Sequence, residues 1–468
     1  MPRRLTHLLL LPALIAAAGC IKSIDAPECV ILADCPPDEA YNSCEDGYCF
    51  KEGKCAQAGF KPNDSCCPPM EGDRTGDTDC LVMAEYFGDQ VSVPAFDAQG
   101  NLFVTYASLD PDKGSMVLLE RLAPADLQSN PVNRPVPVEV GPGASTLAPM
   151  ITRNVSVYAA FDGGVNRYDA ETLDLVAGIE SKAPEGGLAF ASNGGRSVVA
   201  WPTAGGVVVT YDEDGGSVVS HDLVEILNAP PLAKAHFHAP VISGNGHRLY
   251  VTADSGHLVA VEVGVDPLGP VASLVLPSLP AGPPVESGGR VFVVTANNFL
   301  TAYRANDDFS FDFKWQYNLG GPCAGRPLLD AGGDLVLARR NGRVLVIRDF
   351  DSKGSMVGEG DFGEPLADTT PLLTDHPRLV ALGDGGLSVL SLLRADDNGT
   401  ITLSEGLRFD LEFPTTASPT VRSGRLILPL TSSWRLLAWT LADESLPLTG
   451  FPRDGGFADN TNQVIPPM

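Results

Sequence analysis

Four of the seven histidines in this 468-residue chain lie within 22 residues, at positions 236, 238, 247 and 257. His236 and His238 are two apart in the extended stretch AHFHAP, so their side chains share one face. Neutral imidazoles on one face are suitable ligands for zinc or copper. His247 and His257 occur in turns, which can place them at the opposite rim. The pattern predicts a metal site at His236 and His238, with solvated or hydrogen-bonded histidines as the alternative.

The ten cysteines fall into three groups. Cys20 and Cys323 stand apart, and the other eight crowd into about fifty residues: Cys29, Cys35, Cys44, Cys49, Cys55, Cys66, Cys67 and Cys80. An even number in a short span predicts four disulfides if the chain is exported to an oxidising compartment, and their connectivity stays open. A zinc site is the competing interpretation, but no CxxC pair occurs. The absence of CxxCH also argues against attachment of a c-type haem.

Two acidic segments raise the question of calcium. GDRTGDTDC, residues 72–80, brings together Asp73, Asp77 and Asp79, but the alternating oxygen register and the closing Glu are incomplete. An acidic linker is the alternative. Asp397-Asn398-Gly399 fits a hairpin turn better, because Asn-Gly tolerates positive φ. Calcium or a histidine-bound metal is therefore a minor expectation, and no other cofactor is predicted.

Nucleophilic catalysis has no local support in the sequence. Cys323 lies among glycines in GGPCAG, with no histidine nearby in the chain, and is expected to be a small buried apolar side chain. Neither a GxSxG motif nor a phosphate-binding loop occurs. No catalytic residue is predicted.

The first twenty residues, MPRRLTHLLLLPALIAAAGC, contain two arginines, an apolar run and small residues directly before Cys20. The apolar run is too short to span a bilayer, which needs about 20 residues. This order resembles the lipobox of bacterial lipoproteins, which implies cleavage before Cys20 and acylation of that residue. An ordinary secretory signal is the alternative. The resemblance also implies sorting to the outer membrane, because Ile21, and not Asp, follows the cysteine.

Composition narrows the class of protein. The net charge is −26, and such a surface repels phosphate backbones, so nucleic-acid binding is not expected. Glycine and proline number 49 and 39, while 44% of residues are hydrophobic. The chain is therefore predicted to be folded and dense in turns.

One phrase recurs along the chain: a proline or small residue, a few aliphatic residues, a turn, a strand, a second turn and another strand. Copies begin at Val93, Ala148, Gly187, Ala239, Pro283, Arg326, Thr370 and Ser418. The prolines at 240, 284, 327, 371 and 419 are 44, 43, 44 and 48 residues apart. Such a period with about four short strands is typical of a propeller blade. We predict an all-β chain with an eight-bladed β-propeller, with seven blades as the alternative.

The apolar character of the strands explains why the repeated sheets must pack against one another. Stretches such as Arg248–Val251 are apolar on both faces, so neighbouring sheets must cover both. Pairs such as Gly163-Gly164 and Asn341-Gly342 are expected to form the hairpins. The recurring proline suits the first residue of an inner strand. The rival fold, an array of β-sandwiches, would need a period of about 100 residues.

Two segments support a family resemblance. APVISGNGHRLYVTADSGHLVAVEV, residues 239–263, resembles the repeat of pyrroloquinoline-quinone-type propellers. KWQYNLGGPCAGRPLL, residues 314–329, adds the Trp (Trp315) and Gly (Gly320) that the family places in and after the outer strand. The resemblance covers roughly residues 90–450.

The resemblance has two functional branches. Quinone-dependent dehydrogenases hold the quinone and calcium over the central channel. The non-enzymatic lipoprotein of the outer-membrane β-barrel assembly machinery is an anchored propeller that binds a partner through its loops. The four tryptophans do not recur at one offset and no calcium cluster is evident, which favours the second branch. The Cys-rich segment, however, does not match the lipoprotein of this second branch.

These observations predict four segments: a signal peptide at 1–19, a lipidated tether at 20–28, a disulfide module at 29–80 and a PQQ-like β-propeller at 81–468. The expected function is non-catalytic binding of a protein or polymer partner at the cell envelope, with membrane attachment through lipid on Cys20. The alternative is a quinone-dependent oxidoreductase. Outer-membrane anchoring, on the periplasmic or the external face, is the expected localisation.

Overall fold

The computed structural model describes residues 41–45, 48–51, 85–86, 90–97, 99–110, 112–122, 136–143, 147–153, 155–193, 196–263, 271–330, 332–350, 352–374, 378–383, 386–394, 401–404, 408–410, 418–422, 425–430 and 435–440. Cys20 and six of the eight clustered cysteines lie outside these residues, as do both candidate calcium segments.

Strands are the main regular structure of the described residues. They are β1 Tyr41–Glu45, β2 Tyr48–Lys51, β3 Glu85–Tyr86, β4 Gln90–Val91, β5 Ala95–Phe96, β6 Leu102–Asp110, β7 Gly114–Leu122, β8 Val138–Pro142, β9 Met150–Thr152, β10 Ser156–Phe161, β11 Gly164–Asp169, β12 Leu175–Glu180, β13 Ala189–Asn193, β14 Arg196–Thr203, β15 Val207–Asp212, β16 Val218–Asp222, β17 Val241–Ile242, β18 Arg248–Ala253, β19 His257–Glu262, β20 Val271–Val275, β21 Val285–Ser287, β22 Arg290–Val294, β23 Phe299–Ala305, β24 Phe311–Asn318, β25 Leu328–Leu329, β26 Leu335–Ala338, β27 Arg343–Asp349, β28 Gly354–Asp361, β29 Leu372–Leu373, β30 Arg378–Leu382, β31 Gly386–Arg394, β32 Ile401–Ser404, β33 Arg408–Asp410, β34 Thr420–Arg422, β35 Arg425–Leu430 and β36 Arg435–Thr440.

These strands form antiparallel meanders in chain order. Sheet I contains β4–β8, sheet II β9–β12, sheet III β13–β16, sheet IV β17–β20, sheet V β21–β24, sheet VI β25–β28, sheet VII β29–β33 and sheet VIII β34–β36 with β3. Each of the eight sequence repeats falls within one of these sheets. The prediction of an all-β chain built from successive four-stranded antiparallel sheets is confirmed, and the arrangement is consistent with a β-propeller.

Consecutive sheets pack face to face. Separate apolar clusters join sheet I to II, II to III, III to IV and VI to VII, and one larger cluster joins IV, V and VI. Strand β10 shows why: Val157 and Ala159 point into the cluster shared with sheet I, whereas Tyr158 and Ala160 point into the one shared with sheet III. Successive residues of a strand face opposite sides, so a strand between two sheets is apolar throughout.

A strand that precedes sheet I pairs with the last described strand in sheet VIII. Strand β3 pairs with β36, with Glu85 opposite Leu436 and Tyr86 opposite Arg435. The last sheet is therefore completed by a strand from before the first sheet, which links the beginning of the strand series to its end. A closed arrangement leaves fewer exposed sheet edges.

The outer edge of sheet VI pairs with a strand of sheet VII, which the sequence repeat did not predict. The outer strands β28 and β32 pair in parallel, with Gly358 opposite Ile401, so hydrogen bonds make sheets VI and VII continuous. A Cβ at Gly358 would lie 2.9 Å from the Ile401 Cβ. This glycine permits the close approach of the two strands.

The recurring proline needs a correction of one residue. We expected it as the first residue of each inner strand, but Pro149, Pro240, Pro284 and Pro327 each lie directly before the strand. Proline fixes φ in the extended range and has no N–H to pair, so it suits the residue that leads into a ladder. The predicted hairpin turns at 163–164, 297–298 and 341–342 are present, and Asn298 has φ 65°.

Helix is rare in the described chain. A short helix, α1 at Leu223–Ile226, and a 3-10 helix at Pro230–Lys234 connect sheet III to sheet IV. Asp222 caps α1 by accepting hydrogen bonds from the backbone N–H groups of Val224 and Glu225. Within the residues that are described, no helix combines the length and apolarity needed to cross a bilayer.

The hairpin formed by β1 and β2 is the described part of the predicted disulfide module. Cys44 lies directly opposite Cys49 in its register. The four disulfides expected among the eight cysteines stay a prediction, with their connectivity open.

Candidate functional site

One rim of the molecule is built from equivalent loops. In a four-stranded meander, the start of the first strand, the turn between the second and third strands and the end of the fourth strand lie at the same end. The connections between sheets and these second turns therefore form one surface, which we call the loop rim. Its described segments in sheets III to VII are residues 182–187, 203–207, 235–239, 253–257, 279–283, 295–299, 320–326, 339–343 and 364–370.

A backbone contact repeats along the loop rim. Single β-bridges join each incoming connection to the end of the second strand of the same sheet, at Pro184 with Thr203, Phe237 with Ala253, Pro280 with Thr295, Cys323 with Arg339 and Leu366 with Gly383. The residue after each bridge donates to the second strand, as Glu185 does to Pro202 O at 2.9 Å and Ala324 to Ala338 O at 2.8 Å. These bonds use backbone atoms, so side chains can differ on a constant frame.

Glycines allow the connections to press on the next sheet. Gly186 has φ +69°, and a Cβ there would lie 2.5 Å from Ala239 N. Gly325 has φ +64°, and a Cβ there would lie 2.5 Å from Thr370 N. The repeat pattern did not identify either glycine, although both lie in short Gly-containing stretches just before a repeat begins.

The predicted histidine pair lies on the loop rim but not in one environment. His236 has an exposed side chain whose Nδ1 is 3.1 Å from Glu185 Oε1, and the other Glu185 oxygen accepts from Phe237 N at 3.0 Å. His238 is half-buried, and its Nε2 has no hydrogen-bond partner among the described residues. Burial lowers the pKa of His238, and the charge of Arg326 lowers it further, so its imidazole is neutral near neutral pH.

The other two histidines lie at opposite ends of β18. His257 begins β19 on the loop rim, and its Nδ1 is 3.0 Å from Ser255 Oγ, whereas His247 lies at the other end of β18. Within the described part of the chain, no three His, Cys, Asp or Glu side chains come together as a metal-binding group. The metal site at His236 and His238 stays a prediction with no third described ligand.

The connection that contains α1 packs against the turn between β14 and β15 of sheet III. A Cβ at Gly206, which has φ +81°, would lie 2.6 Å from Val224 Cγ2 and 2.9 Å from Leu232 O. Ile226 is 41% exposed on this connection, and Leu279 is 54% exposed on the next one. The loop rim thus presents apolar side chains beside charged ones such as Lys182 and Asp254.

Cys323 lies within the loop rim at the bridge to Arg339. It is half-buried and packs against the cluster shared by sheets IV, V and VI. Burial raises the pKa of its thiol to about 12, partly offset by the nearby charge of Arg339. Because the thiolate is the reactive form, this position is unsuited to a nucleophile.

We therefore expect Cys323 to resist alkylation in the folded protein. Its pKa of about 12 leaves roughly three-thousandfold less thiolate near neutral pH than an ordinary thiol with pKa near 8.5 would have. Peptide mapping after iodoacetamide treatment, with and without denaturant, measures the effect at this residue alone. Equal labelling of the Cys323 peptide in both conditions would contradict the assigned burial.

The opposite rim has a different character. Arginines there contact the next sheet. Arg167 Nη1 donates to Glu213 O at 3.1 Å, and Arg290 Nη1 donates to Asp349 Oδ1 at 2.7 Å. The Cζ atom of Arg248 lies 4.4 Å from the centre of the Phe309 ring. Tyr158 also donates to the buried Glu213 at 3.1 Å. These contacts join sheets II to III, IV to V and V to VI, so this rim fastens neighbouring sheets.

Comparison with known proteins gives a likeness of fold alone. No known protein family matches the chain, and no curated protein does. Among solved structures, it is similar to the computationally designed Ika8 protein, with 13% identity, a TM-score of 0.50, and coverage of 76% of this chain and 98% of that chain.

Two natural proteins are also similar. BamB from Moraxella catarrhalis has 20% identity over 55% of this chain and 70% of that one, with a TM-score of 0.38. The β-propeller domain of Cps50 (Swd1) from Myceliophthora thermophila has 12% identity over 77% of this chain and 100% of that one, with a TM-score of 0.43. At these identities the comparisons say nothing about activity.

Proposed function

We propose that this chain is a lipid-anchored, non-catalytic binding protein of the cell envelope, which engages a protein partner through the loop rim of an eight-bladed β-propeller. The observation that carries the proposal is the repeated backbone frame of that rim, where five equivalent bridges hold different side chains in fixed positions. A rigid frame with variable side chains suits recognition, because little conformational entropy is lost on binding.

The succession of sheets supports the proposed number of eight blades. Sheets I to VIII succeed one another in chain order, and β3 closes the last sheet. The anchor rests on the sequence around Cys20, and the disulfide module rests on the eight cysteines from Cys29 to Cys80. Two or more acyl chains would give stable attachment, whereas one chain gives a marginal one.

Partner capture tests the role of the loop rim. Full-length chain is incubated with solubilised envelope proteins, beside variants L279R on the loop rim and V155R on the opposite rim. These residues are 54% and 56% exposed, so the two substitutions are matched in chemistry and accessibility. We expect a partner to be captured by the unaltered chain and by V155R, and at least tenfold less by L279R. Absence of specific capture, or equal loss in V155R, would contradict the proposal.

The anchor has its own test. Intact-mass analysis of the membrane fraction should show acyl groups on a chain that begins at Cys20, and Cys20→Ser should release the protein from the membrane. A mature chain without added acyl mass would refute the tether.

The non-catalytic assignment is also open to a direct check. Incubation with pyrroloquinoline quinone and calcium, followed by gel filtration, is expected to leave no quinone absorbance in the protein peak. Retained absorbance would favour an oxidoreductase instead.

A further inference from the structure

The hairpin of β1 and β2 places two cysteines of the Cys-rich segment opposite each other. The strands are antiparallel and their register is regular from Ser43 to Glu45, where Cys44 lies directly opposite Cys49. The register shifts between Tyr41 and Ser43, on the side of the cysteine pair away from the turn. Of the eight clustered cysteines, these two lie within the described residues.

The sequence supports this register independently. Asp46 and Gly47 are the two residues between the paired strands. An Asp-Gly pair is strongly preferred in two-residue hairpin turns, because both positions require positive φ. The turn sets the register of a hairpin, so a turn at this dipeptide brings Cys44 opposite Cys49.

Directly opposite residues are at a suitable distance for a disulfide. Their Cα atoms lie about 4.5 Å apart in a non-hydrogen-bonded pair and about 5.5 Å apart in a hydrogen-bonded pair. A disulfide joins Cα atoms that are about 4.4–6.8 Å apart. Residues at opposite positions also share one face of the sheet. The backbone register therefore allows a bridge between the two cysteines in either kind of pair.

The spacing along the chain favours the same pair. Cys44 and Cys49 are five residues apart, and within the cluster only Cys66 and Cys67 are closer in sequence. The entropic cost of closing a loop rises with its length, so a bridge between near residues costs less than one between distant residues.

We propose that Cys44 and Cys49 are joined by a disulfide. This inference rests on the export that the proposed function includes, because disulfides persist in oxidising compartments. The oxidant is the reactive disulfide of a thiol-oxidising protein of that compartment. One cysteine thiolate attacks that disulfide to form a mixed disulfide, and the other then displaces the oxidant as a dithiol. Two thiols thus lose two electrons and two protons, which reduce the disulfide of the oxidant.

The bridge closes the hairpin on itself and restricts the rest of the segment. The remaining three disulfides must form among six cysteines: Cys29, Cys35, Cys55, Cys66, Cys67 and Cys80. The number of possible pairings in the segment falls about sevenfold.

Peptide mapping without reduction tests the pairing. Full-length chain from the envelope fraction is denatured with N-ethylmaleimide to block free thiols and digested with Glu-C protease. Cleavage after Glu39, Glu45 and Glu52 produces peptides 40–45 and 46–52, each with one cysteine. We expect mass spectrometry to find these two peptides joined, at their summed mass less two hydrogen atoms, and to find them separate after reduction.

Serine variants provide the matched test. Cys44→Ser should expose one additional thiol, at Cys49, which the maleimide labels, and the double variant C44S/C49S should expose none. Cys80→Ser is the control, and it should leave peptides 40–45 and 46–52 joined. Cys323 is a free cysteine, so its labelling in every variant confirms that the reagent reacts.

The other outcomes contradict the inference in distinguishable ways. Either peptide joined to a third peptide, or an unlabelled Cys49 in C44S, would overturn the pairing and leave the exported location intact. Maleimide on all eight clustered cysteines of the unaltered chain would contradict the pairing and the oxidising location together. Partner capture through Leu279 does not involve this hairpin, so the binding function is judged separately.

Discussion

Replacing Gly325 with alanine is expected to destabilise the protein by about 3 kcal/mol, because one methyl group would separate two sheets. Gly325 has φ +64°, and its Cβ would overlap Thr370 Cα and lie 2.5 Å from Thr370 N. The clash involves backbone atoms, so no rotamer change can relieve it. The same connection supplies Arg326 N, which donates to Thr370 Oγ1 at 3.2 Å, and this bond should be lost as well.

Gly363→Ala separates the clash from backbone strain. Gly363 also has positive φ, +74°, but no atom lies within 4 Å of the added Cβ. This variant should lose only about 1 kcal/mol, the ordinary cost of placing alanine in the left-handed region. Urea unfolding followed by tryptophan fluorescence measures both variants. Equal midpoints for G325A and G363A would show that the contact with Thr370 does not stabilise the fold.

Asp349→Ala should have a similarly large effect, also about 3 kcal/mol. The Asp349 Oδ1 atom accepts from Arg290 Nη1 at 2.7 Å and from Trp315 Nε1 at 2.8 Å. Both partners belong to sheet V, while Asp349 ends β27 in sheet VI. The side chains of Arg290 and Asp349 are only 14% and 17% exposed, and Trp315 is 4% exposed. Removing the carboxylate withdraws the acceptor from a mostly buried cation and from a buried indole N–H.

The control is an ion pair of the same type on the surface. Asp368 pairs with Arg340, but their side chains are 63% and 51% exposed. Asp368→Ala should therefore leave the unfolding midpoint nearly unchanged, since exposed pairs contribute little. Asp349→Asn should recover part of the loss, because an amide oxygen can still accept from the indole. A midpoint for D349A equal to that of D368A would mean that the contact does not join the two sheets.

The sequence predicted the repeated sheets because their cause is local. Alternation in β10, with Val157 facing one sheet and Tyr158 the other, needs only the period of a strand and a reason to bury both faces. Turn positions such as Asn298 follow from conformational preference at positive φ. Trp315, expected in an outer strand, does lie in β24.

The candidate site was predicted only in outline. The sequence pointed to loops at one rim and to the pair His236 and His238, but not to Glu185, which contacts His236 from 51 residues away. Nor could spacing show that His238 is half-buried beside the charge of Arg326 while His236 is exposed. Spacing shows that residues two apart in a strand face the same way. The neighbouring sheet determines how buried each side chain is and which charges lie near it.

By itself, the sequence determined the class of fold, the spacing of the repeats and the positions of several hairpin turns, because backbone preference and apolar periodicity act over a few residues. Only the tertiary structure decided which strand closes the last sheet, and which charges face each other. Strand β3 pairs with β36 across about 350 residues, and Arg290 meets Asp349 across 59. Such contacts depend on how sheets stack on one another, and no local pattern encodes the partner.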